Sequence, residues 1–537
     1  MNKIVGSEEF LGYMHTEASP SNFTVRDSLL IKPIAFSMDH DIGFKDCVFT
    51  EDVVIDGYET GQSFSFMDCV FRKQIKIVNC KFEHITEVSI FRFTGCNNLE
   101  LSLDNCLISG VEIKKCESSS ISVENCQLTE RGIVLTQGTS TGFFFSNSKF
   151  NLTFASHSLD GNIITDEVFF PKLLIKETVL NQSLNLTEAK ITECIFSNSK
   201  FNQSPNIQIK TGMKLISMES CIFQTPFQIY AVVSKDMSLI LRDCIFEKTF
   251  KLHGSKYEIG RCEIHNCIGE LRLLYGTIRY ITLRNLATVL NIELITLKVK
   301  ILHVEKSRAA ISINNIVPYG DESSLQFSGC DLSNSIFQNT DLSKFKNIFF
   351  ESSKLTEITT TNVKWFSPPN LLSATGNFPE LHPFSRETYR QLKHNQEKQG
   401  NRVQALEFHA LEMEYYRLEL KNQHKTSRVL AERSILWLGR SNDHGQNWIK
   451  PVLLAAFFGY LFYAIMIFEA IGKWNCDVLW NHFPSYFSLM NPIHDLSKVF
   501  PDKIAYNGSL QLTDYVWRII LAYLIFQTVS AFRKFIR

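Results

Sequence analysis

Residues 215–246 read LISMESCIFQTPFQIYAVVSKDMSLILRDCIF, and this stretch holds one full period of the pattern that decides the fold. Its two Cys-Ile-Phe triplets begin at Cys221 and Cys244, 23 residues apart. A short segment before them, Asn206-Ile-Gln-Ile209, alternates polar and apolar residues as a strand with one buried face does. A period in the low twenties built from such strands is typical of one coil of a solenoid.

The same triplet recurs through the first 350 residues, and Ser148-Lys-Phe150 and Ser199-Lys-Phe201 are serine variants of it. The other cysteine copies are Cys47-Val-Phe49, Cys69-Val-Phe71, Cys80-Lys-Phe82 and Cys194-Ile-Phe196. Asn, Asp, Gly and Ser punctuate the strand-like segments, as turns require. The sequence therefore predicts a β-helix solenoid over residues 40–365, preceded by an N-terminal cap at residues 1–39.

The last coils change rhythm to a period of five. Cys330-Asp-Leu-Ser-Asn, Ser335-Ile-Phe-Gln-Asn and Thr340-Asp-Leu-Ser-Lys follow one another without a break. This phrase resembles pentapeptide-repeat proteins, which implies that Leu332, Phe337 and Leu342 point inward.

The cysteines are expected to be buried, reduced thiols. Thirteen of the 14 lie in the first 330 residues, mostly at one repeating position. Residues 1–20 contain three glutamates and no apolar run of signal-peptide length, so the sequence gives no sign of export to an oxidising compartment. No Cys-x-x-Cys pair occurs, so we expect no metal site.

An enzyme is not expected, although some β-helices are polysaccharide lyases. Such an enzyme needs clustered acids or metal ligands on one sheet face, and no Asp-rich run stands out. The sequence therefore predicts no catalytic residue and no cofactor. The formal net charge is +0, which also removes any global charge argument for nucleic-acid binding.

Beyond the solenoid we expect a Pro-rich linker at 366–384 and a helical neck at 385–440. Gly400-Asn401 interrupts the neck and predicts two helices, at 385–399 and 402–437. Two interpretations stay open: a solvated helix pair packed on its neighbours, or a linker that transmits motion to a membrane.

Residues 441–537 predict a transmembrane hairpin with an outer loop at 472–514. Pro451 to Phe468 holds 18 uncharged residues, nearly enough at about 1.5 Å rise per residue to cross a hydrocarbon core of roughly 30 Å. The second span runs from Val516 to Phe532. Basic residues flank the predicted inner ends: Arg440, Lys450, Arg533, Lys534 and Arg537. This bias predicts both termini in the cytoplasm, and the alternative is a buried helix pair of a globular domain.

Charged residues near the outer ends of the two predicted spans suggest a role beyond membrane anchoring. Antiparallel helices place Glu469 and Arg518 at similar depth, so we expect an ion pair between them, within or between subunits. Glu469 and Asp477 would form an acidic outer mouth that favours cations. Gln527, Thr528 and Ser530 are the candidate pore-lining groups on the second span. Because two helices cannot enclose a pore, a channel requires a homo-oligomer with cyclic symmetry, most simply a tetramer.

Several segments after the solenoid resemble a family of bacterial membrane proteins with pentapeptide-type β-helices. They are Tyr389-Arg-Gln-Leu-Lys393, Gln399-Gly-Asn401, Glu407-Phe408, Trp448-Ile-Lys-Pro451 and the ending from Gln527 to Phe535. Some relatives in that family carry a two-helix channel module after a similar linker. The chain lacks a Thr-Val-Gly-Tyr-Gly filter.

The layout also resembles the membrane effectors of Hailong anti-phage defence. That resemblance implies an oligomeric channel in the bacterial inner membrane with a cytoplasmic sensing body. It also implies a partner nucleotidyltransferase that supplies a single-stranded DNA oligomer, but it assigns no ligand-contacting residue. The alternative functions are a membrane-anchored scaffold or binding protein without conduction and, third, an anchored carbohydrate-active enzyme.

Overall fold

The computed structural model describes two compact units, a solenoid and a helical unit. The first comprises the described residues up to Phe349 together with Ile358–Asn370, and the second comprises Phe350–Glu357 and the described residues from Leu371 onward. The described residues are 3–16, 21–31, 42–57, 64–80, 90–117, 119–155, 158–159, 163–166, 168–182, 184, 186, 189–203, 205–209, 211–231, 234–254, 257–371, 382–424, 426–471, 476–499 and 508–532.

The first unit is a stack of short parallel strands that makes about 14 turns over residues 3–361, which confirms the predicted β-helix. Each coil pairs in register with the next, so one inward position repeats up the stack. Ile216 aligns with Leu239, Leu239 with Cys262, and Cys262 with Ile281. Because every member of this column is buried, burial of apolar side chains accumulates coil by coil, as in other solenoids.

The strands of the N-terminal half are short and mostly alternate buried and exposed residues. They are Lys3–Val5, Phe23–Val25, Leu29–Ile31, Ile42–Lys45, Val48–Phe49, Val53–Asp56, Phe64–Met67, Val70–Phe71, Gln74–Val78, Ile90–Thr94, Glu100–Asp104, Leu107–Lys114, Ser119–Glu124, Gln127–Thr136, Thr139–Ser146, Leu152–Ala155, Ser158–Leu159, Ile163–Asp166, Phe169–Lys176 and Val179–Leu180.

The C-terminal half includes two long strands that bend through corners of the coil. Its strands are Lys190–Ser197, Lys200–Phe201, Asn206–Ile209, Leu215–Glu219, Ile222–Phe223, Phe227–Ala231, Ser234–Arg242, Ile245–His253, Tyr257–His265, Ile268–Arg284, Leu290–Glu305, Ala310–Asn314, Val317–Pro318, Ser324–Ser328, Ile336–Gln338, Asn347–Glu351 and Thr359–Thr361.

The repeated cysteine follows a corner in which the backbone takes a left-handed conformation. Asp68 precedes Cys69 with φ 52°, and Asp243 precedes Cys244 with φ 52°. Asp and Asn tolerate this conformation better than most residues, which explains why they recur before the cysteine. The Cys69 thiol then donates to the Met67 carbonyl oxygen at 3.3 Å. The repeat therefore encodes a tight corner followed by a small buried side chain.

Native thiols should resist modification. The thirteen described cysteines are buried and none forms a disulfide, and burial raises the pKa of the Cys262 thiol to about 12. Because the thiolate is the reactive species, we expect at most one fast equivalent of reaction with an aromatic disulfide reagent at pH 8. All 14 thiols should react in denaturant. Fast reaction of several thiols in the folded protein would contradict this burial.

The N-terminal segment begins the solenoid earlier than the predicted boundary at residue 40. Helix α1, Ser7–Thr16, packs Phe10 against Phe23 and Phe44 with ring centroids 5.4 and 6.0 Å apart. The strand Phe23–Val25 already pairs in parallel with Val48–Phe49. The sequence missed this coil because it lacks the Cys-x-Phe triplet.

The segment with the five-residue repeat forms the last coils of the solenoid. Leu332, Phe337 and Leu342 are all buried, as the resemblance to pentapeptide-repeat proteins implied. The strand Ile336–Gln338 pairs with Thr359–Thr361 one coil later.

The helical unit contains α2 to α9 within the part of the chain that is described. These helices are α2 His382–Lys398, α3 Arg402–Lys421, α4 Ser427–Gly439, α5 Ile449–Ile471, α6 Cys476–Asn481, α7 Phe483–Leu489, α8 Leu496–Val499 and α9 Gly508–Phe532. Among the described residues, 3-10 turns lie at Leu342–Lys344 and Pro368–Asn370 in the solenoid unit and at Arg440–Asn442 in the helical unit. Residues 372–381 of the predicted linker lie outside the described residues.

The neck contains three helices, where the sequence predicted two. The break at Gly400-Asn401 occurs as expected: Gly400 has φ 76° and the Asn401 side chain accepts from the Gln404 amide at 3.3 Å. The predicted helix 402–437 was wrong, because α3 ends at Lys421 and Thr426 caps α4 through the Val429 amide. Threonine competes well for a cap position, and this local signal outweighed the apolar periodicity on either side.

The first two neck helices pack on each other. Tyr389 is fully buried against Phe408 and Tyr415, with ring centroids 6.1 and 5.6 Å away. Lys393 donates to the Glu412 carboxylate at 2.8 Å. Glu412 is buried, so this ion pair supplies the counter-charge that a buried carboxylate needs. This packing makes α2 and α3 a rigid antiparallel pair.

Candidate functional site: the apolar helix pair and its inserted segment

Helices α5 and α9 are long and apolar enough to cross a membrane, with mean hydropathies of 2.1 and 1.4 in their most apolar windows. Helix α9 begins at Gly508, so residues 508–514 of the predicted outer loop are helical. The predicted second span began at Val516, eight residues later than the helix does.

Residues 476–499, here called the inserted segment, run back along α5. The Tyr463 hydroxyl donates to the Leu479 carbonyl oxygen at 2.6 Å, and the Tyr486 hydroxyl donates to the Ala456 carbonyl oxygen at 3.1 Å. Ala456 lies 15 residues before the end of α5 at Ile471, about 22 Å along the helix axis. The chain therefore travels from the C-terminal end of α5 past its middle.

The inserted segment then turns and comes back along α9. At its far end, the Trp517 indole donates to the Leu489 carbonyl oxygen at 2.9 Å, and the Trp517 ring stacks on Phe462 at 5.4 Å. After the turn at residues 491–494, the Val499 carbonyl oxygen accepts from the Ser485 hydroxyl at 2.8 Å. The inserted segment thus folds back on itself: it starts beside the C-terminal end of α5, runs along the helix pair, turns, and returns toward the N-terminal end of α9.

Gly459 allows α5 to lie close to α9 and to the inserted segment. A larger side chain at this position should push these elements apart. A Cβ at this position would lie 2.8 Å from Met490 Sδ and 3.2 Å from the Trp517 ring. We expect Gly459→Ala to destabilise the helical unit by about 1–3 kcal/mol through overpacking. Thermal unfolding in detergent measures the effect. Gly508→Ala is the matched control, since nothing lies within 4 Å of that position.

A buried charge cluster holds the turn of the inserted segment to α9. His494 Nε2 lies 2.7 Å from Asp514 Oδ1, and both side chains are only 4% exposed. Arg518 Nε and a terminal nitrogen reach Asp514 Oδ2 at 2.8 and 2.7 Å. One carboxylate on α9 thus joins a histidine from the inserted segment to an arginine one turn along its own helix.

The proton count of this cluster follows from its partners. His494 Nδ1 lies 2.6 Å from the Asn491 carbonyl oxygen, which can only accept, so Nδ1 carries a proton. Nε2 faces a carboxyl oxygen, so the proton between them belongs either to an imidazolium or to a carboxylic acid. Removing either partner leaves a buried group without its hydrogen bond.

The predicted ion pair between Glu469 and Arg518 does not form within one chain. Arg518 is already paired with Asp514, four residues earlier on the same helix face. Glu469 Oε1 instead accepts from the Thr513 hydroxyl at 3.3 Å. Its other oxygen, Oε2, is buried and lacks a hydrogen-bond partner among the described residues. The version of this pair between subunits stays a prediction.

Three of the other predicted pore residues lie apart from the inserted segment. Gln527, Thr528 and Ser530 are half-buried in the last turns of α9, where the Thr528 hydroxyl donates to the Leu524 carbonyl oxygen at 2.9 Å. Asp477 lies in α6, and its side chain is outside the described residues.

The basic flanks are described on one side only. Lys450 Nζ donates to Asp443 at 2.6 Å and to the Arg440 carbonyl oxygen at 2.9 Å. Arg533, Lys534 and Arg537 lie outside the described residues.

Sequence reasoning missed His494, Asp514 and the reach of Tyr486. One signal was present: an Asp followed by an Arg four residues later at the start of an apolar run is an arrangement that neutralises a charge inside a helix. Its histidine partner, 20 residues earlier, gave no comparable signal.

The solenoid surface carries ion pairs that link neighbouring coils. Arg284 contacts Glu305 at 2.9 Å, Arg272 contacts Glu293 at 3.1 Å, and Arg279 contacts Glu258 at 2.9 Å. These arginines are already charge-compensated. Within the described ranges, no group of three or more His, Cys, Asp or Glu side chains is placed to hold a metal ion.

Comparison with known proteins gives no match to a family model, to a curated protein or to a solved structure. The chain is therefore a β-solenoid protein with two apolar helices of membrane-spanning length. The inserted segment, which connects these two helices, packs along both of them.

Proposed function

We propose that the protein is an oligomeric membrane channel, in which α5, the inserted segment and α9 of each subunit surround a shared pore. The observation that carries the proposal is the depth of the inserted segment. The Tyr486 hydroxyl reaches the Ala456 carbonyl oxygen, past the middle of α5, and the turn at residues 491–494 is bonded through His494 to Asp514, six residues into α9. On this proposal the inserted segment is a re-entrant loop from the outer side.

The environment of the turn supports a pore. Non-helical backbone at membrane depth is tolerated where protein buries it or where it lines a water-filled cavity. Asn491 is exposed and Ile493 is 88% exposed in the single chain. Neighbouring subunits around a central aqueous path would satisfy this requirement, and a lipid-facing turn would not.

The carboxylates at the outer ends favour cations. Glu469 has a buried oxygen without a partner, which a neighbouring subunit or a passing cation would satisfy. Together with Asp477 it would form the acidic outer mouth, while Gln527, Thr528 and Ser530 would line the inner part of the path. We favour a tetramer with both termini in the cytoplasm of a bacterial cell.

The solenoid is proposed as the sensing body. The resemblance to Hailong membrane effectors supports a role in anti-phage defence, with a partner nucleotidyltransferase and a single-stranded DNA oligomer as the signal. The solenoid arginines that pair with glutamates of neighbouring coils do not by themselves mark an oligonucleotide site.

Single-channel recording of the purified full-length protein in planar bilayers tests the proposal. We expect cation-selective steps, and we expect Asn491→Ala with Ile493→Ala to change unitary conductance. Gln511→Ala, at an exposed position of α9, is the control that should leave conductance unchanged. Absence of conductance with and without oligonucleotides would reject the channel.

The second candidate is a membrane-anchored scaffold or binding protein without conduction. The observation in its favour is the solenoid of about 14 turns, an extended surface suited to binding partners. It predicts that an unrelated two-helix anchor in place of residues 451–537 preserves function, whereas the channel requires the native helices.

A further inference from the structure

A groove lies between α3, α4 and the turn that follows α4. It has a volume of about 490 Å³ and is lined by Arg417, Leu430, Arg433, Trp437, Leu438 and Arg440. Trp437 is 69% exposed and Leu430 is 49% exposed. The groove therefore combines guanidinium groups with a large apolar wall that no described part of the chain covers.

The contacts of α4 fix the groove beside the end of the second apolar helix. The Tyr523 hydroxyl donates to the Leu438 carbonyl oxygen at 2.6 Å, and the Asn442 amide donates to the Gln527 carbonyl oxygen at 3.1 Å. Tyr523 and Gln527 lie nine and five residues before the end of α9 at Phe532, about 13 and 7 Å along its axis. If α9 crosses a membrane, the groove therefore lies on the side of the bilayer that the C-terminal end of this helix reaches, where arginine side chains are long enough to extend to the headgroups.

Two of the arginines form no ion pair within the described part of the chain. Arg417 is paired with Glu414 at 2.6 Å, and Arg428, on the other side of α4, is paired with Glu432 at 3.1 Å. Arg433 and Arg440 form no ion pair or side-chain hydrogen bond with any described residue. A guanidinium near the membrane interface is best satisfied by a phosphate, which it can bind through two parallel hydrogen bonds.

We propose that this groove binds the headgroup of an anionic phospholipid. Arg433 and Arg440 hold the phosphate, and Trp437 and Leu430 cover the glycerol and the first methylenes of the acyl chains. The apolar side chains around the arginines suit a lipid and disfavour a free, fully hydrated anion. Because α4 is bonded to α9 through Tyr523, a bound lipid also fixes the junction between neck and membrane helix. The inference needs membrane anchoring and does not depend on conduction.

Lipid titration of the full-length protein in detergent tests the site. The probes are dioleoylphosphatidylglycerol, dioleoylphosphatidylcholine and inorganic phosphate, with binding read by native mass spectrometry and by the shift in Tm. We expect preferential binding of phosphatidylglycerol. Each lost arginine near a membrane surface corresponds to about a fivefold loss of affinity, so R433Q/R440Q should bind roughly thirtyfold more weakly. R428Q, outside the groove, should bind as the parent does.

Several outcomes would overturn the site. Equal binding of phosphatidylcholine, equal Tm shifts from inorganic phosphate, or unchanged lipid binding by R433Q/R440Q each contradict it. A change in oligomeric mass by W437A with lipid binding unchanged would identify the groove as a contact between subunits. The single variants R433Q and R440Q decide the question if the double variant loses its folded elution profile.

Discussion

Replacing Asp514 with asparagine is expected to destabilise the helical unit by about 1.5–3 kcal/mol. The carboxylate is 4% exposed and is the shared partner of His494 and Arg518. The amide can accept from Arg518 and donate to a neutral His494, but the charge-assisted hydrogen bonds are lost and Arg518, 30% exposed, is left without its counter-ion. The turn that follows α7 should be held less tightly to α9, because His494 is its buried link to that helix. Loss of Tm in detergent and faster hydrogen exchange across residues 483–499 report the effect.

The exposed ion pair between Asp443 and Lys450 provides the control. These side chains are 44% and 42% exposed, so Asp443→Asn should change stability by about 1 kcal/mol or less. Similar losses from both substitutions would mean that the Asp514 cluster has no special role. A stable Asp514→Asn protein with altered conductance alone would assign the cluster to the pore and not to the fold.

Replacing Phe66 with alanine is expected to destabilise its part of the solenoid by about 3–5 kcal/mol. Phe66 is 1% exposed and lies in a stack of rings, with Phe44 at 4.7 Å and Phe93 at 5.1 Å. Since each neighbour belongs to an adjacent coil, the cavity removes contacts from three coils at once. Hydrogen exchange in full-length protein should accelerate across Phe64–Met67 and Ile90–Thr94.

Phe144→Ala is the matched control for this substitution. Phe144 sits in the strand Thr139–Ser146 but is 40% exposed, so its loss should change local stability by about 0.5 kcal/mol or less. Exchange confined to Phe64–Met67 after Phe66→Ala would show that the coils open independently. That result would contradict the coupling expected from stacked rings.

The solenoid was predictable because its signal repeats. A left-handed corner accepts few residue types, and the residue after it must be small, so Asp or Asn followed by Cys recurs at nearly fixed spacing. The inward positions Leu332 and Phe337 came from the resemblance of the five-residue repeat to pentapeptide-repeat proteins, and both are buried. The coil at Phe23–Val25 escaped prediction because a single copy without the cysteine carries no period.

The helical unit was only partly predictable, because its specificity lies in contacts distant in sequence. Hydropathy located α5 and α9, but the start of α9 depended on His494 and Arg518 neutralising Asp514. The path of the inserted segment depends on tyrosine hydroxyls that reach carbonyl oxygens, such as Tyr486 to Ala456. Any tyrosine has that capacity, so the sequence alone does not indicate which one uses it.

Helix α1 gives the solenoid a defined first coil. A parallel stack that simply stopped would present a row of unpaired amides and carbonyls, which is a template for growth from another molecule. Phe10 instead fills the apolar end of the core beside Phe23 and Phe49. This packing covers the apolar interior at the first coil and so disfavours stacking of another molecule on it. The length of the solenoid follows from its number of coils: about 14 turns at roughly 4.8 Å each give about 65 Å.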